Sequence, residues 1–489
     1  MEEKAGVTPG EFGGNLKREL KKLFPPAAAQ LSIVASKGQH RILGDYQCND
    51  VMHMLSPKPF RSDLAQALDD FIAKSIENML INGIDTWAPT LPVKRAVVDF
   101  YSPNVAEDMH VGHLRSPIIG ETIARLLDCS STQRFKFYAE TMLAGMLIEY
   151  LFEVFPGAVS ESMTTIGHIQ GGDPVYVKAW AKICEISRTE STKIIQQLQV
   201  EVEEKGESFY KPYISNMIEE LTSKGLVKDI DGARVIPIEG LKKPLMLVKR
   251  DGGFTYSTTD MAALWYRLNE EKAEWIIYVT DAGQHNHFDK LFKAARKAGW
   301  LPTNDTTYPR VSHVGFGVVL ARNGRRFNSW SAYKFSLADL LDMAKRGQRM
   351  DTRVAGRNSR GSWIQFADLK NNRLTSYTFS YDQMLCDKGK TAVYLLYADA
   401  RICSIIEKSG KDIDELKKAG KLALDHADER ALGLHLLRRL RKRAPNCYRT
   451  CCATTYTGYP NSTPDSTTIV RSLVQQRRQA VSYSVKQRG

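Results

Sequence analysis

A chain of 489 residues that is 43% hydrophobic and 9% aromatic is long enough for two or three domains and apolar enough to bury more than one core. No apolar run approaches the ~20 residues of a membrane-spanning helix, so a soluble protein with no membrane partner is expected. The net charge of +13 is local: residues 438–489 hold eleven Lys/Arg and one acid, and residues 344–363 hold six and one. The rest of the chain is slightly acidic, which excludes inferring a globular nucleic-acid footprint from charge alone.

The start, Met1-Glu2-Glu3-Lys4, has neither the apolar stretch of a secretory signal nor the acid-poor composition of a transit peptide, so a cytoplasmic home is expected. Residues 1–92 read as a small N-terminal α/β domain with a linker. Leu64, Leu68, Ile72, Ile76 and Leu80 recur at helical spacing, and Pro89 and Pro92 break the pattern. From residue 93 to 343 the pattern alternates between strand and helix. Ala96 to Phe100 suits a buried parallel strand, and Ile119, Ile123, Leu126 and Leu127 mark the helix that follows. Trp275 to Val279 reads as a second such strand, with a helix marked by Phe288, Leu291, Phe292 and Ala295 and capped at Gly299. Val314 to Leu320 reads as a third strand. The fold class is therefore α/β, a Rossmann-like doubly wound parallel sheet whose ligands sit at the carboxyl ends of the strands.

An insertion at about 147–250 splits this fold. Asp173 to Leu226 is charged and helical in pattern, followed by an extended run at Leu245 to Val248, a turn at Asp251 to Gly253 and a second extended run. Residues 364–437 read as the start of a truncated helical domain, with helices over Thr391 to Ile406 and Asp412 to Leu437. Residues 438–489 read as a disordered basic tail. The eight cysteines include no Cys-x-x-Cys pair, which argues against a disulfide framework and a zinc knuckle and leaves them reduced and mostly structural.

The sharpest local signal is His110-Val111-Gly112-His113, placed between a buried strand and an amphipathic helix. Two imidazoles around a glycine can donate to phosphate oxygens, the glycine admits a flat ring to the backbone, and the helix start adds positive potential. Two surface histidines beside a turn glycine would give the same four letters. Its position after a buried strand favours the chemical reading.

The run Ser102-Pro103-Asn104-Val105-Ala106 followed by His110-Val111-Gly112-His113-Leu114-Arg115-Ser116 resembles the signature of the arginyl-tRNA synthetases, class I enzymes, of the eukaryotic cytosolic type. Similar stretches at Met146–Phe152, Asp251–Leu268, Trp275–Phe288, Ala294–Trp300, Phe366–Phe379 and Thr391–Leu437 extend the resemblance over roughly two-thirds of the chain. The resemblance implies an ATP-dependent arginine–tRNA ligase that forms arginyl-adenylate and passes the arginyl group to tRNA(Arg). ATP arrives with Mg²⁺ as substrate, no tightly bound metal or organic cofactor is implied, and a monomer is expected. His110, Gly112 and His113 are implied as the catalytic motif, with His110, His113, His287 and Arg326 on ATP. Ser102, Pro103, Asn104, His113, Tyr256, Asp260 and Gln284 are implied around arginine, and Tyr397 and Arg401 on tRNA. A guanidinium substrate requires carboxylate, hydroxyl and amide partners. Tyr256 and Asp260, four residues apart, share a face if their segment is helical. His285, His287 and His313 lack the further ligands that a metal site would need.

Four departures from the family pattern stand out. Glu107 replaces a lysine ahead of the motif. The signature loop reads Arg326-Phe327-Asn328-Ser329-Trp330, with one cation fewer. A Gly-Asp-Trp-Gly-Thr-Gln block is replaced by Phe135 to Leu143, and most of the helical domain is replaced by the basic tail. Residues 133–144, much of 344–363, and 438–489 therefore read as out-of-frame or mis-spliced translation. The alternative function is a catalytically impaired or truncated relic that keeps ATP or tRNA binding.

Overall fold

The structure, a computed structural model, describes residues 33–35, 46–48, 70, 73–78, 93–101, 109–128, 133–138, 174–304, 307–327, 336–347, 362–384, 392–410, 412 and 415. At the N-terminal end, β1 (Ile33–Ala35) and β2 (Tyr46–Cys48) form an antiparallel pair. The centre is a five-stranded sheet built from β3 (Arg95–Phe100), β4 (Gln133–Tyr138), β5 (Glu203–Glu204), β9 (Trp275–Val279) and β10 (Arg310–His313). Its order is β10-β9-β3-β4-β5, and every pairing is parallel. The chain winds outward from β3 in one direction and later returns to build β9 and β10 on the other side. The switch therefore lies between the carboxyl ends of β3 and β9, where ligands of such sheets bind.

Burial on both faces explains why these strands are nearly continuous apolar runs. Ala96, Val98 and Phe100 of β3 share one core with Trp275, Ile277 and Val279 of β9. Val97, Ile276 and Tyr278 point into the opposite core. The first core is covered by α1 (Arg115–Asp128), the C-terminal end of α2 (Pro174–Gln197), α6 (Leu337–Gly347) and α7 (Ser362–Leu369). Gly120 of α1 permits the closest approach: a methyl group there would meet the Phe100 ring at 2.0 Å. The second core is covered by α3 (Glu207–Ser223), α4 (Tyr256–Asn269) and α5 (His285–Lys297). An antiparallel sheet of β6 (Lys228–Ile230), β7 (Ala233–Ile236) and β8 (Leu245–Val248) adds to that side. Each fully buried aliphatic or aromatic side chain in these layers contributes roughly 1.5–3 kcal/mol.

The stretch expected as an insertion thus supplies β5 to the main sheet as well as the β6–β8 sheet. The expected strand over Val314 to Leu320 is not formed as such. Regular pairing with β9 ends at His313, Phe316 makes one parallel bridge to Asp281, and β11 (Val319–Leu320) pairs in parallel with β12 (Tyr377–Thr378). The apolar run was misleading because β10 is a sheet edge, where a polar Arg-Val-Ser-His strand suffices. A methyl group on Gly317 would come within 2.5 Å of the backbone at Thr375 and Ser376, so this segment packs main chain to main chain. The second extended run after Gly253 shrinks to one bridge at Phe254 before α4 begins. Gln133–Tyr138, which departs from the family pattern, forms β4 beside β3. Two further helices, α8 (Tyr381–Met384) and α9 (Ala392–Ser409), follow. Cys184 and Cys403 are free thiols, the former buried. Apart from Asp412 and Glu415, the expected helical stretch Asp412 to Leu437 and the tail lie outside the described residues.

Candidate active site

The carboxyl end of β3 is closed by side chains of the motif segment. Tyr101, the residue after the strand, takes a left-handed φ of 66°. Its N–H donates to Ser116 Oγ at 2.9 Å, and Ser116 Oγ donates to the Val279 carbonyl at 3.0 Å, so one hydroxyl ties the ends of β3, β9 and α1 together. The Tyr101 hydroxyl reaches Met109 Sδ at 2.8 Å, and burial pushes its pKa up. Ser102, Pro103, Asn104 and Glu107 lie outside the described residues.

Residues Val111–His113 form a single 3₁₀ turn that leads into α1. Gly112 N–H donates to His110 Nδ1 at 3.0 Å, and His110 N–H donates to His113 Nδ1 at 3.3 Å. Both Nδ1 atoms act as acceptors, which leaves Nε2 as the donor of each ring. The rings stack with centroids 4.0 Å apart, so two N–H donors project from one platform. Phe327 lies against them, its ring centroid 5.8 Å from that of His110.

At the end of β9 the chain makes a second 3₁₀ turn, Ala282–Gln284, before α5. Asp281 Oδ1 accepts from Gly283 N–H at 2.9 Å and lies 3.5 Å from Arg326 Nη2. The signature-loop cation therefore reaches the turn that carries Gln284. His287, in the first turn of α5, places Nε2 2.6 Å from Asp260 Oδ2 on α4. Asp260 and Tyr256 do share a helical face, with Tyr256 at the first helical position and half exposed. Partial burial raises the Tyr256 phenol pKa, and the nearby Glu207 carboxylate raises it further. His313, ending β10, bonds Thr280 Oγ1 at 2.9 Å and approaches His285 Nδ1 at 3.4 Å. Burial first, and the His285 neighbour second, lower its pKa from 6.5 to about 4, so it is uncharged at neutral pH.

Three contacts thus lie around the switch: His110 with Phe327, Arg326 with Asp281, and His287 with Asp260, the last two joined along the chain by the turn that carries Gln284. They place two imidazole donors, a cation and a carboxylate at the switch of the sheet. Such a set can grip phosphate oxygens at one end and a cationic group at the other. Sequence reasoning missed Asp281, Phe327 and Glu207. The first two sit beside residues already singled out, whereas Glu207 opens α3, far from any motif. Tyr397 and Arg401 both fall in α9, and Arg401 is partly buried. Among the described residues, no group of three or more His, Cys, Asp or Glu is arranged to hold a metal ion, and no helix is long and apolar enough to cross a membrane.

Comparison with known proteins identifies the family. Residues 75–167 and 153–381 match the family model of the catalytic domain of class I tRNA synthetases (R). The chain is 53% identical over 518 residues to the chloroplastic/mitochondrial arginine–tRNA ligase of Arabidopsis thaliana, covering 88% of this chain and 80% of that one. It is 52% identical over 516 residues to the cytoplasmic arginine–tRNA ligase of the same plant, covering 88% and 87%. Both alignments are longer than the 489-residue chain, so each relative carries stretches with no counterpart here. Among solved structures, the arginyl-tRNA synthetase of Plasmodium falciparum matches with a TM-score of 0.67 and 27% identity, over 90% of this chain and 88% of that one. The Thermus thermophilus arginyl-tRNA synthetase, at 18% identity and a TM-score of 0.57 over 95% and 96%, shares the fold.

Proposed function

This chain belongs to the class I arginyl-tRNA synthetases and is an arginine–tRNA ligase, and we propose that it holds ATP at His110, Gly112, His113 and Arg326 and arginine at Tyr256, Asp260 and Gln284. The observation that carries this assignment is the placing of three contacts, His110–Phe327, Arg326–Asp281 and Asp260–His287, around the switch of the sheet. Adenylate formation is an attack of the arginine carboxylate on the α-phosphorus of ATP, with pyrophosphate leaving. Such a step needs positioning and charge stabilisation more than a protein nucleophile. The Nε2–H groups of His110 and His113 donate to phosphate oxygens as charge builds on them. Arg326 exchanges its contact with Asp281 for the outer phosphates, which accompany Mg²⁺ as substrate. Asp260 exchanges His287 for the substrate guanidinium, a stronger, charge-assisted partner. His287 is then released toward the nucleotide. Ser102, Pro103 and Asn104 are assigned to the rim of the arginine pocket, and Tyr397 and Arg401 to the tRNA.

The domain boundaries proposed are 1–92, 93–343, 344–363, 364–437 and 438–489. A monomer is proposed with them, and a cytoplasmic location, for which the likeness to the plant cytoplasmic ligase speaks beside the equally near chloroplastic/mitochondrial one. Fractionation of cells expressing the full chain tests the compartment, and recovery with organelles would overturn it. The central test is arginine-dependent tRNA charging, with ATP–pyrophosphate exchange measured alongside in the presence of tRNA. The parent chain is expected to do both, and His113→Ala is expected to abolish the exchange. A folded His113→Ala variant with unchanged exchange would remove the histidine pair from the site.

A further inference from the structure

Arg115, the first residue of α1 and two positions beyond His113, is buried to 1% exposure although it carries a permanent charge. Its Nη1 donates to the carbonyls of Gly317 at 2.5 Å and Thr375 at 3.0 Å, and Nη2 donates to that of Asn372 at 3.3 Å. Nε lies 3.1 Å from Asp368 Oδ1, on α7. The same oxygen accepts from the Tyr377 hydroxyl at 2.8 Å, and the Tyr377 ring lies 5.3 Å from the guanidinium carbon.

The carbonyls it gathers belong to two strands of main chain that are themselves zipped together. Gly317 N–H donates to Arg373 O, Tyr377 N–H to Val318 O and Phe379 N–H to Leu320 O. From Leu320 the chain turns through Gly324 and returns to bridge at Arg326, which sets Phe327 against the motif turn. One side chain beside the histidine pair therefore grips the base of the hairpin that carries the signature-loop cation.

We propose that Arg115 is a positioning residue for adenylate formation: with Asp368 and Tyr377 it fixes the His110–His113 turn against the base of the Arg326–Phe327 hairpin. The proposal rests on the reading of His110 and His113 as the ATP site. A buried ion pair is a weak source of stability, because apolar residues of similar volume often serve as well. What an apolar set cannot do is bind three carbonyls at fixed angles beside a paired carboxylate, and a planar five-donor fork does this while a lysine does not. The two halves of the phosphate site come from distant parts of the chain, and Arg115 is where they meet.

The experiment compares Arg115→Lys, Tyr377→Phe and His113→Ala in the full chain, by ATP–pyrophosphate exchange with tRNA present and by thermal unfolding. Arg115→Lys is expected to lower kcat about 100-fold, as a displacement of about 1 Å does, and to raise KM for ATP. KM for arginine should stay within about twofold. Tyr377→Phe removes one hydrogen bond and is expected to lower kcat about fivefold with the same selectivity. A folded Arg115→Lys variant with the parent's kcat and KM for ATP overturns the proposal. So does a rise in both KM values by the same factor together with a lower Tm, the pattern of a merely structural role. Should Arg115→Lys fail to unfold cooperatively, Tyr377→Phe decides, and parent-like kinetics from it overturn the proposal. Loss of exchange in His113→Ala with parent-like kinetics in the other two defeats this inference alone. Unchanged exchange in His113→Ala defeats the underlying reading, and the inference with it.

Discussion

Gly112 shows what the smallest side chain decides at the site. A methyl group there would stand 2.5 Å from His110 Cε1 and 2.7 Å from Nδ1, so the ring that accepts the Gly112 N–H would have to swing away. Gly112→Ala is therefore expected to misplace the Nε2 donor and lower the exchange kcat by about 100-fold with little change in Tm; steady-state exchange and a melting curve check both halves. His113 resists the same argument, since the role proposed for it belongs to the donor itself. At His313 the prediction is one of pH. Its folded pKa of about 4 lies below the ordinary 6.5, so the unfolded chain takes up a proton first as pH falls. The stability this site contributes is complete above about pH 6.5 and is lost on acidification toward pH 4. Urea unfolding at pH 7, 6 and 5 should show a steeper loss for the parent than for His313→Gln. Equal slopes would mean that His313 does not titrate as its surroundings dictate.

At the scale of elements, α4 brings Tyr256 and Asp260 to the site, and a buried ion pair holds it to the sheet. Arg267 Nη1 lies 2.7 Å from Asp99 Oδ2 on β3, and Nη2 donates to the Tyr210 hydroxyl at 3.3 Å. Burial raises the Asp99 pKa while Arg267 opposes the rise. Asp99→Asn strands the guanidinium and is expected to cost about 3–5 kcal/mol in urea unfolding. Asp99→Asn combined with Arg267→Met should recover part of that loss, and a double variant no more stable than the single would refute the coupling. These elements also show what the sequence made legible. β3 and β9 are buried on both faces and read directly from their apolar runs, as did the helices behind them from their stripes. β10 escaped because an edge strand needs few apolar residues, and β5 because two glutamates carry no strand pattern. Tyr256 and Asp260 were singled out through the family resemblance, since alone they read as a core aromatic and a helix-surface charge. Glu207 was found only through space, because its nearness to Tyr256 is created by the packing of α3 on α4.

Across the whole molecule, two distant sites are linked by one short helix. α7 packs on α1, which begins at the motif, and also on α9, which carries Tyr397 and Arg401. Asp368, near the end of α7, is the carboxylate that meets Arg115. The proposed tRNA contacts on α9 are therefore one helix away from the proposed adenylate site, and the two functions should be separable by mutation. Arg401 is on the face of α9 that is only partly buried, so its replacement removes a cation without opening a core. Arg401→Ala is expected to raise KM for tRNA several-fold in charging, and to reduce the dependence of tRNA binding on salt by about 0.7 in log–log slope, the loss of roughly one phosphate contact on a single strand. KM for ATP and for arginine should hold at saturating tRNA. Charging measured at two or more salt concentrations, for parent and variant together, separates a phosphate contact from a change in fold, since only the former alters the slope. An unchanged slope with a raised KM would place Arg401 in the packing of the helices, and the tRNA path elsewhere on the molecule.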